Sequence, residues 1–507
     1  MDSHYFMPSS PCSLHPGIHT HPNANSAPAV LNPPRITPIG LKISNSYFSC
    51  LCYHHHQKKR KSLFRKDPFG RQTRKWGYHQ LDNNRSETGD SKKGSLAGAI
   101  ALVIGTSIGS GILALPQKAS PAQGFVPSSV SIIVCWAFLL IEALLLVEIN
   151  VAILRKRKRK RKRDEELEVI SIRTMAQETL GEWGGALATV TNVVLGYSCM
   201  AAYCSKSGDL LFQWINFPAP VSGCLFTALF TMLISIGGTQ ATDRVNQWLT
   251  ASMIGLLLAI EVLAVEFGGW SGIGGSDWAK VPAAMPVIIF SLVYHDITPV
   301  LCAYLEGDLD RIRASIFLGS LVPLMALLIW DAIAVGLAAE VEQIVDPIEL
   351  LFRVKWSGVS VLVGAFSLLA VGTSLIGTLL SFSEFFKEQL KNLVWLSPPT
   401  QELNGGWWGR NKMSIVAMTI VVAPSLFVSA TFPDAFSAAT DIAGGYCMTV
   451  LYGVLPPAMA WTMQKREYEG SGAKSLSEAW PALIMVSLFA CGIVVDQILQ
   501  DTQALHL

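Results

Sequence analysis

Long apolar runs separated by short polar segments follow one another from Leu96 to Leu499. Each is close to the roughly 20 residues that an α-helix needs to cross a bilayer. The pattern therefore predicts an all-α integral membrane protein with about eleven transmembrane helices. The predicted spans, numbered in chain order, cover residues 96–115, 125–154, 183–204, 221–237, 248–267, 282–305, 316–339, 359–386, 413–430, 435–461 and 480–499.

The first span is interrupted by a glycine-rich polar stretch at residues 105–111. Its glycines each disfavour a helix by roughly 1 kcal/mol relative to alanine, and neighbouring Ser and Thr side chains can bond to the local backbone instead. Unwound backbone is tolerated in a membrane only where it is buried in protein or lines a cavity. We therefore expect a binding site here, although the same small residues also fit the spacing of closely packed helices. The residues of this candidate site are Gly105, Thr106, Ser107, Gly109, Ser110 and Gly111.

The sixth span begins strongly apolar and becomes polar in its middle. Pro299 has no N–H to donate to the His295 carbonyl, and its ring pushes that carbonyl aside. A charged Asp296 at the centre of a membrane helix costs roughly 2.5–3.5 kcal/mol. We therefore expect the helix to open at residues 294–296, with His295 and Asp296 facing a cavity or a partner. Tyr294 and Thr298 complete this half of the candidate site.

The two interrupted helices occupy equivalent places in the chain. Spans one to five (residues 95–267) and spans six to ten (residues 282–462) each begin with one of them. Because five is an odd number, the second set enters the membrane in the opposite sense. This is typical of a five-plus-five inverted repeat whose broken first and sixth helices bind substrate and ions. The extra helix at 480–499 completes a transporter domain over residues 91–507.

Composition excludes other classes of protein. With 50% hydrophobic and 15% charged residues, the chain is far less charged than a soluble protein. The ten cysteines have neither metal-site nor disulfide spacing, so we expect no metal and no cofactor. The chain has no phosphate-binding loop of a primary pump and no catalytic motif in its spans, so we expect no enzyme.

Basic residues are concentrated in the loops on one side of the predicted membrane. The inside loops include nine consecutive basic residues at 155–163. That run could mark a nucleic-acid patch, but directly after a span it is better explained as a topology signal, and we expect no nucleic-acid partner. Residues 155–182 are predicted to form this basic loop and an amphipathic surface helix. The outside loops hold only Lys118, Lys206, Lys280, Arg353 and Lys355.

Residues 1–90 differ from the rest of the chain. Ser, Pro, His and Asn are frequent, and no acidic residue occurs between Asp2 and Asp67. Basic residues gather towards the end, and no apolar stretch is long enough for a secretory signal. The pattern is typical of a disordered, cleaved organelle transit peptide. Its Ser and Pro content favours the chloroplast inner envelope, with the mitochondrial inner membrane as the alternative.

Several stretches of the chain resemble one transporter family. Residues 98–116 look like the first span of the hydroxy and aromatic amino acid permeases, of the amino acid–polyamine–organocation superfamily. Residues 291–295, 304–308 and 311–323 resemble the same family around its sixth and seventh spans. The resemblance covers residues 96–499 and extends to plant plastid members.

That resemblance implies both a fold and a function. The fold would have eleven spans with a five-plus-five inverted repeat, and the function would be import of tyrosine or another aromatic amino acid driven by a cation gradient, usually protons. The backbone at 105–111 would hold the substrate's amino and carboxylate groups, and the break at 294–298 would complete the pocket. The alternative function is a non-transporting sensor or scaffold.

Acidic residues within spans are candidates for ion coupling. Glu148 matches an acidic position near the end of the family's second span, and Asp441 precedes the flexible pair Gly444 and Gly445. His295 is a third candidate, because imidazole titrates near physiological pH. Glu142 lies about 240° around the helix from Glu148 and cannot share its face. The expected partners are an amino acid, a proton and the lipid bilayer; the oligomeric state stays open.

Overall fold

The computed structural model describes residues 94–118, 124–160, 169–267, 277–339, 357–395, 407–432, 434–470 and 480–505. Within these ranges every regular element is helical. The predicted transit peptide at 1–90 and the end of the basic run at 161–163 lie outside the described residues.

The helices follow the predicted order. In chain order they are α1 (Leu96–Ser107), α2 (Gly111–Lys118), α3 (Phe125–Lys160), α4 (Ile172–Leu180), α5 (Glu182–Ile215), α6 (Ala219–Phe267), α7 (Val281–Leu292), α8 (Thr298–Tyr304), α9 (Leu309–Ala339), α10 (Ser357–Trp395), α11 (Trp407–Thr431), α12 (Ala435–Asp441), α13 (Leu455–Gly470) and α14 (Trp480–Leu505). Short 3-10 turns cover Trp278–Lys280 and His295–Ile297, and a π-helix over Ile442–Val454 joins α12 to α13.

Ten helical segments in the described part are long and apolar enough to cross a membrane. They correspond to predicted spans two to eleven. The first predicted span is not among them because it is divided into α1 and α2, neither of which is long enough alone. The prediction of an all-α membrane protein with about eleven spans is therefore confirmed.

The fourth and fifth spans share the continuous helical stretch α6 but do not form one straight rod. The Phe230 ring lies against Gly372, and the Met253 sulfur lies 3.8 Å from the Thr373 hydroxyl. A straight helix would separate Phe230 from Met253 by about 35 Å. Because both reach neighbouring residues of α10, the chain must bend back sharply between the two spans.

The sixth and tenth spans form the centre of the molecule. In an apolar stretch of 18 residues from each span, 78% and 72% of the residues are buried inside the protein, against 22% for the fifth and ninth spans. These enclosed spans contain, respectively, the predicted break at residues 294–296 and the π-helix. The irregular backbone is therefore enclosed by protein, as a bilayer requires.

The second span is longer than predicted. Arg155 to Lys160 extend α3 instead of opening a loop, because Lys and Arg are good helix formers. The amphipathic segment that follows contains α4, whose Met175 and Ala176 are buried. Asn150 of α3 donates a hydrogen bond to the Ile170 carbonyl (3.0 Å) and so fixes the start of this segment.

Lys206 does not lie in an outside loop as predicted. It is only 4% exposed within α5, and its ammonium lies 5.0 Å from the centre of the Phe436 ring. The aromatic face attracts the cation and compensates part of its lost hydration. α5 continues to Ile215 and ends at Asn216, whose backbone is left-handed (φ 53°). Without Lys206, the outside loops hold fewer basic residues than predicted, so the difference in positive charge between the inside and outside loops is larger.

Candidate functional site

The break in the first span is narrower than predicted. Only residues 108–110 leave the helix, and Gly105, Thr106 and Ser107 remain in α1. The hydroxyls of Thr106 and Ser107 donate back to the carbonyls of Leu102 (2.9 Å) and Val103 (2.8 Å). Those bonds are compatible with a helix. Thr106 and Ser107 therefore remain helical, although they follow Gly105.

At two glycines of this break, Gly109 and Gly111, neighbouring atoms lie very close to where a side chain would begin. A Cβ on Gly109 would lie 2.9 Å from the Ser374 hydroxyl oxygen, and one on Gly111 would lie 2.7 Å from the Ser291 Cα. The Ser110 N–H donates to the Ser374 hydroxyl (3.1 Å), which satisfies one exposed backbone group. Gly109 and Ser110 thus belong to an unwound segment, and Gly111 to a tight packing contact.

The two broken helices touch each other. The Ser291 hydroxyl lies 2.6 Å from the Gly111 carbonyl oxygen and 2.7 Å from the Val287 carbonyl oxygen, and shares its proton between them. Gly111 begins α2 and Ser291 lies in the last turn of α7. The unwound parts of the first and sixth spans therefore lie side by side, as an inverted repeat requires.

The sixth span opens where the sequence predicts. α7 ends at Leu292, Val293 is extended (ψ 132°), and a 3-10 turn begins at His295. Helix resumes at Thr298 with Pro299 in its first turn, where a missing N–H costs nothing. The Thr298 hydroxyl is buried and has no hydrogen-bond partner within the described ranges.

His295 is the middle ring of an aromatic stack. Its centroid lies 5.1 Å from that of Tyr294 and 4.8 Å from that of Tyr452, with interplanar angles of 22° and 24°. The imidazole is fully buried, and its Nε2 lies 3.0 Å from the Leu139 carbonyl oxygen. A carbonyl can only accept, so Nε2 carries the proton. His295 thereby joins the sixth span to the second.

Asp296 is the polar centre of the site. This residue has accessible surface although protein surrounds it, and its neighbours Tyr294, His295 and Ile297 are buried. The Tyr452 hydroxyl donates a hydrogen bond to its carboxylate, and Tyr452 itself is 1% exposed. A carboxylate that is accessible among buried neighbours faces a space inside the protein.

A second tyrosine connects this space to the break in the first span. The Tyr203 hydroxyl interacts with the side chains of Ser110, Cys199 and Thr378, and Cys199 in turn lies near Asp296. Ser110 and Cys199 are both buried. The site is therefore built from five spans: the first, third, sixth, eighth and tenth.

The other coupling candidates lie apart from the aromatic stack. Glu148 forms an ion pair with Arg313 (2.7 Å), and both side chains are partly exposed. Asp441 is the last residue of α12, where the π-helix begins.

The π-helix is the part of the site that the sequence did not predict. π-Turns are rare and concentrate at functional positions, and this one extends over 13 residues and carries Tyr452. A Cβ on Gly444 would overlap the Pro286 carbonyl oxygen, so this glycine serves close packing against α7. In the sequence, the pair Gly444 and Gly445 indicated an irregular helix. It did not indicate that this helix positions Tyr452.

Comparisons with known proteins agree with this architecture. Residues 92–497 match the tryptophan/tyrosine permease family. "Tyrosine-specific transport system 1" of Haemophilus influenzae is 29% identical over 384 residues, which cover 73% of this chain and 88% of that protein. A "Tryptophan-specific transport protein" of Pseudomonas aeruginosa is 24% identical over 439 residues, which cover 81% and 95%.

Solved structures support the fold. The crystal structure of MhsT in complex with L-phenylalanine aligns with a TM-score of 0.50 at 14% identity, over 81% of this chain and 99% of MhsT. At that identity the likeness shows a common fold. The family match covers most of the chain and includes both broken helices. The chain belongs to the tryptophan/tyrosine permease family.

Proposed function

We propose that this protein is a secondary transporter that carries tyrosine or another aromatic amino acid across an organelle membrane together with a proton. The observation that carries the proposal is the accessible Asp296 beside the contact between the two broken helices. A charged side chain and unwound backbone at one place suit a small zwitterion better than an apolar ligand.

Each end of a zwitterionic substrate has a suitable partner in this site. The Asp296 carboxylate favours the ammonium group, and the N-terminal end of α2 favours the carboxylate because the helix dipole is positive there. Gly109, Ser110 and Gly111 supply the backbone at that end. The hydroxyls of Tyr203 and Tyr452 lie at the two ends of this site, since Tyr203 interacts with Ser110 and Tyr452 bonds to Asp296.

The relatives support an aromatic side chain as the specificity-determining part of the substrate. Those reported above are described as specific for tyrosine and for tryptophan. Tyr294, His295 and Tyr452 form a buried stack of rings beside Asp296, so the surroundings of this carboxylate are aromatic.

The proposed location is the chloroplast inner envelope. It rests on residues 1–90, which are rich in Ser and Pro and poor in acidic residues. Proton coupling is proposed because the spans contain buried acidic side chains, Glu142 and Asp331 among them, and buried acids in spans are the usual carriers of protons.

The test is counterflow of labelled amino acids in proteoliposomes that contain the purified chain, with and without a pH gradient. We expect exchange of tyrosine, phenylalanine or tryptophan, and accumulation above equilibrium when a pH gradient is imposed. Failure of every aromatic amino acid to exchange would contradict the substrate. Binding without any exchange would instead favour the sensor or scaffold.

The same assay tests the site through Tyr452→Phe. The variant keeps the ring stacked on His295 but removes the hydrogen bond to Asp296, and a bond to a charged group is worth about 1.5–3 kcal/mol. We expect apparent tyrosine affinity to fall by about tenfold or more. The control is Tyr446→Phe on the same π-helix, whose hydroxyl bonds to Asp501 at an exposed position. If the two variants have equal apparent affinities for tyrosine, then Asp296 and Tyr452 do not belong to the substrate site.

A further inference from the structure

Glu142 is a buried acid to which the transport site described above assigns no role. It lies near the middle of α3 with 0% of its surface exposed. Neither carboxyl oxygen has a hydrogen-bond partner among the residues that the structure describes. Burial of an ionised carboxylate without partners costs several kcal/mol, even after relaxation of the protein. In this conformation Glu142 must therefore hold a proton.

Among the residues that the structure describes, none supplies a cation that stabilises the ionised form of Glu142. Cys135 of α3 and Tyr294 of the sixth span lie near its carboxyl group. His295 donates its Nε2 proton to the Leu139 carbonyl, almost one turn before Glu142. On α9, which also packs against α3, Arg313 is paired with Glu148, and Asp331 accepts a bond from Ser128.

The π-helix connects Glu142 to the transport site. A Cβ on Gly453 would lie 2.8 Å from the Glu142 Oε1 atom, so the carboxyl group rests against the backbone of this residue. The preceding residue, Tyr452, donates its hydroxyl to Asp296. Two consecutive residues of the π-helix thus contact the buried Glu142 and the Asp296 carboxylate, to which the substrate is proposed to bind.

We propose that Glu142 is the proton-binding group of this transporter, and that the π-helix makes its protonation depend on whether Asp296 holds substrate. The proposal rests on the transport function proposed above. A substrate ammonium that pairs with Asp296 shifts this carboxylate, and the Tyr452 hydroxyl bonded to it shifts as well. The resulting displacement of Tyr452 moves Gly453 against Glu142. One proton binds to Glu142 from one compartment and leaves it to the other, in the direction of the substrate.

The geometry favours Glu142 over Glu148, one of the acids that the sequence singles out. Glu148 already has a counter-ion and reaches solvent, so it can stay ionised throughout the cycle. Glu142 has neither, and only a change of conformation can let its proton leave. A proton that is released only on a change of conformation is what coupling requires.

The direct test is Glu142→Gln, which mimics the protonated acid and cannot ionise. In proteoliposomes we expect this variant to keep tyrosine counterflow, to lose accumulation driven by a pH gradient, and to show no pH dependence of exchange. Glu148→Gln is the comparison, and it should still accumulate substrate in a pH gradient. Accumulation by Glu142→Gln equal to that of the wild type would overturn the proposal.

The outcomes separate this proposal from the transport function itself. If the wild type exchanges no aromatic amino acid, the function fails; if only Glu142→Gln behaves unexpectedly, the proton site fails. Should Glu142→Gln not fold, the wild type is treated with dicyclohexylcarbodiimide, which reacts with protonated carboxyl groups in apolar surroundings. We expect mass spectrometry to find the adduct on Glu142 and not on Glu148 at neutral pH. An adduct on Glu148 with none on Glu142 would overturn the proposal.

Discussion

Single residues decide how closely the two broken helices approach each other. Gly111 has no room for a side chain, because the nearest atom to a Cβ there is the Cα of Ser291, a backbone atom that cannot rotate away. Ser291 uses its hydroxyl to bind the Gly111 carbonyl across the same contact. The contact therefore depends on one residue with no side chain and one with a short polar side chain.

Replacing Gly111 by alanine should separate the two breaks. Overpacking of this kind costs about 1–3 kcal/mol, so Gly111→Ala should lower the thermal unfolding temperature in detergent and reduce tyrosine exchange. Gly255→Ala is the matched control, since a Cβ at Gly255 has nothing within 4 Å. That variant should keep both properties. A Gly111→Ala protein with wild-type stability and exchange would show that the contact is not needed.

The residues that could be predicted are those whose effect is local. Glycine and proline alter their own backbone, so the breaks near Gly109 and before Pro299 could be found from the sequence. Tyr203 and Tyr452 could not, because a tyrosine in a span looks like ordinary core until folding places it beside a residue from a distant span. Thr106, a predicted site residue, remains within α1, where its hydroxyl bonds to the Leu102 carbonyl.

At the scale of elements, the interrupted spans are maintained by different means. The first span is open because of glycines and the Ser374 hydroxyl, whereas the sixth resumes at a helix start that contains Pro299. The tenth is not broken but wound as a π-helix. The sequence predicted the first two, and only the structure revealed the third.

Pro299→Ala should shorten the break in the sixth span. An alanine N–H at this position can donate to the carbonyl four residues earlier, which extends α8 back through the 3-10 turn. We expect reduced tyrosine exchange without loss of folded protein, measured against Pro323→Ala, which removes a proline from the interior of α9. Wild-type exchange by Pro299→Ala would show that the other packing contacts alone hold the break open.

At the scale of the whole molecule, the charged loops set the orientation. The basic end of α3 and Lys280, just before α7, are predicted to lie on opposite sides of the membrane. Five spans lie between the start of α1 and the start of α7, so the two repeats enter in opposite senses. The eleven-span topology could be predicted because hydropathy acts over a whole span and tolerates errors at its ends.

Cysteine labelling checks this topology. In a chain without native cysteines, Lys156→Cys and Lys280→Cys should react with an impermeant maleimide from opposite sides of sealed vesicles. Both positions lie at helix ends and outside the proposed site. Reaction of both from the same side would contradict the predicted number of crossings between them.

The length of α3 has a consequence for how the protein responds to lipids. Its 36 residues measure about 54 Å, whereas the hydrocarbon core is only about 30 Å thick. We expect part of the surplus to extend beyond the hydrocarbon core at the basic end of the helix, where Arg155 to Lys160 lie. Anionic headgroups attract such a basic segment by about 1 kcal/mol per basic residue. We therefore expect the surface charge of the membrane to influence the position of the second span, which contains Glu142.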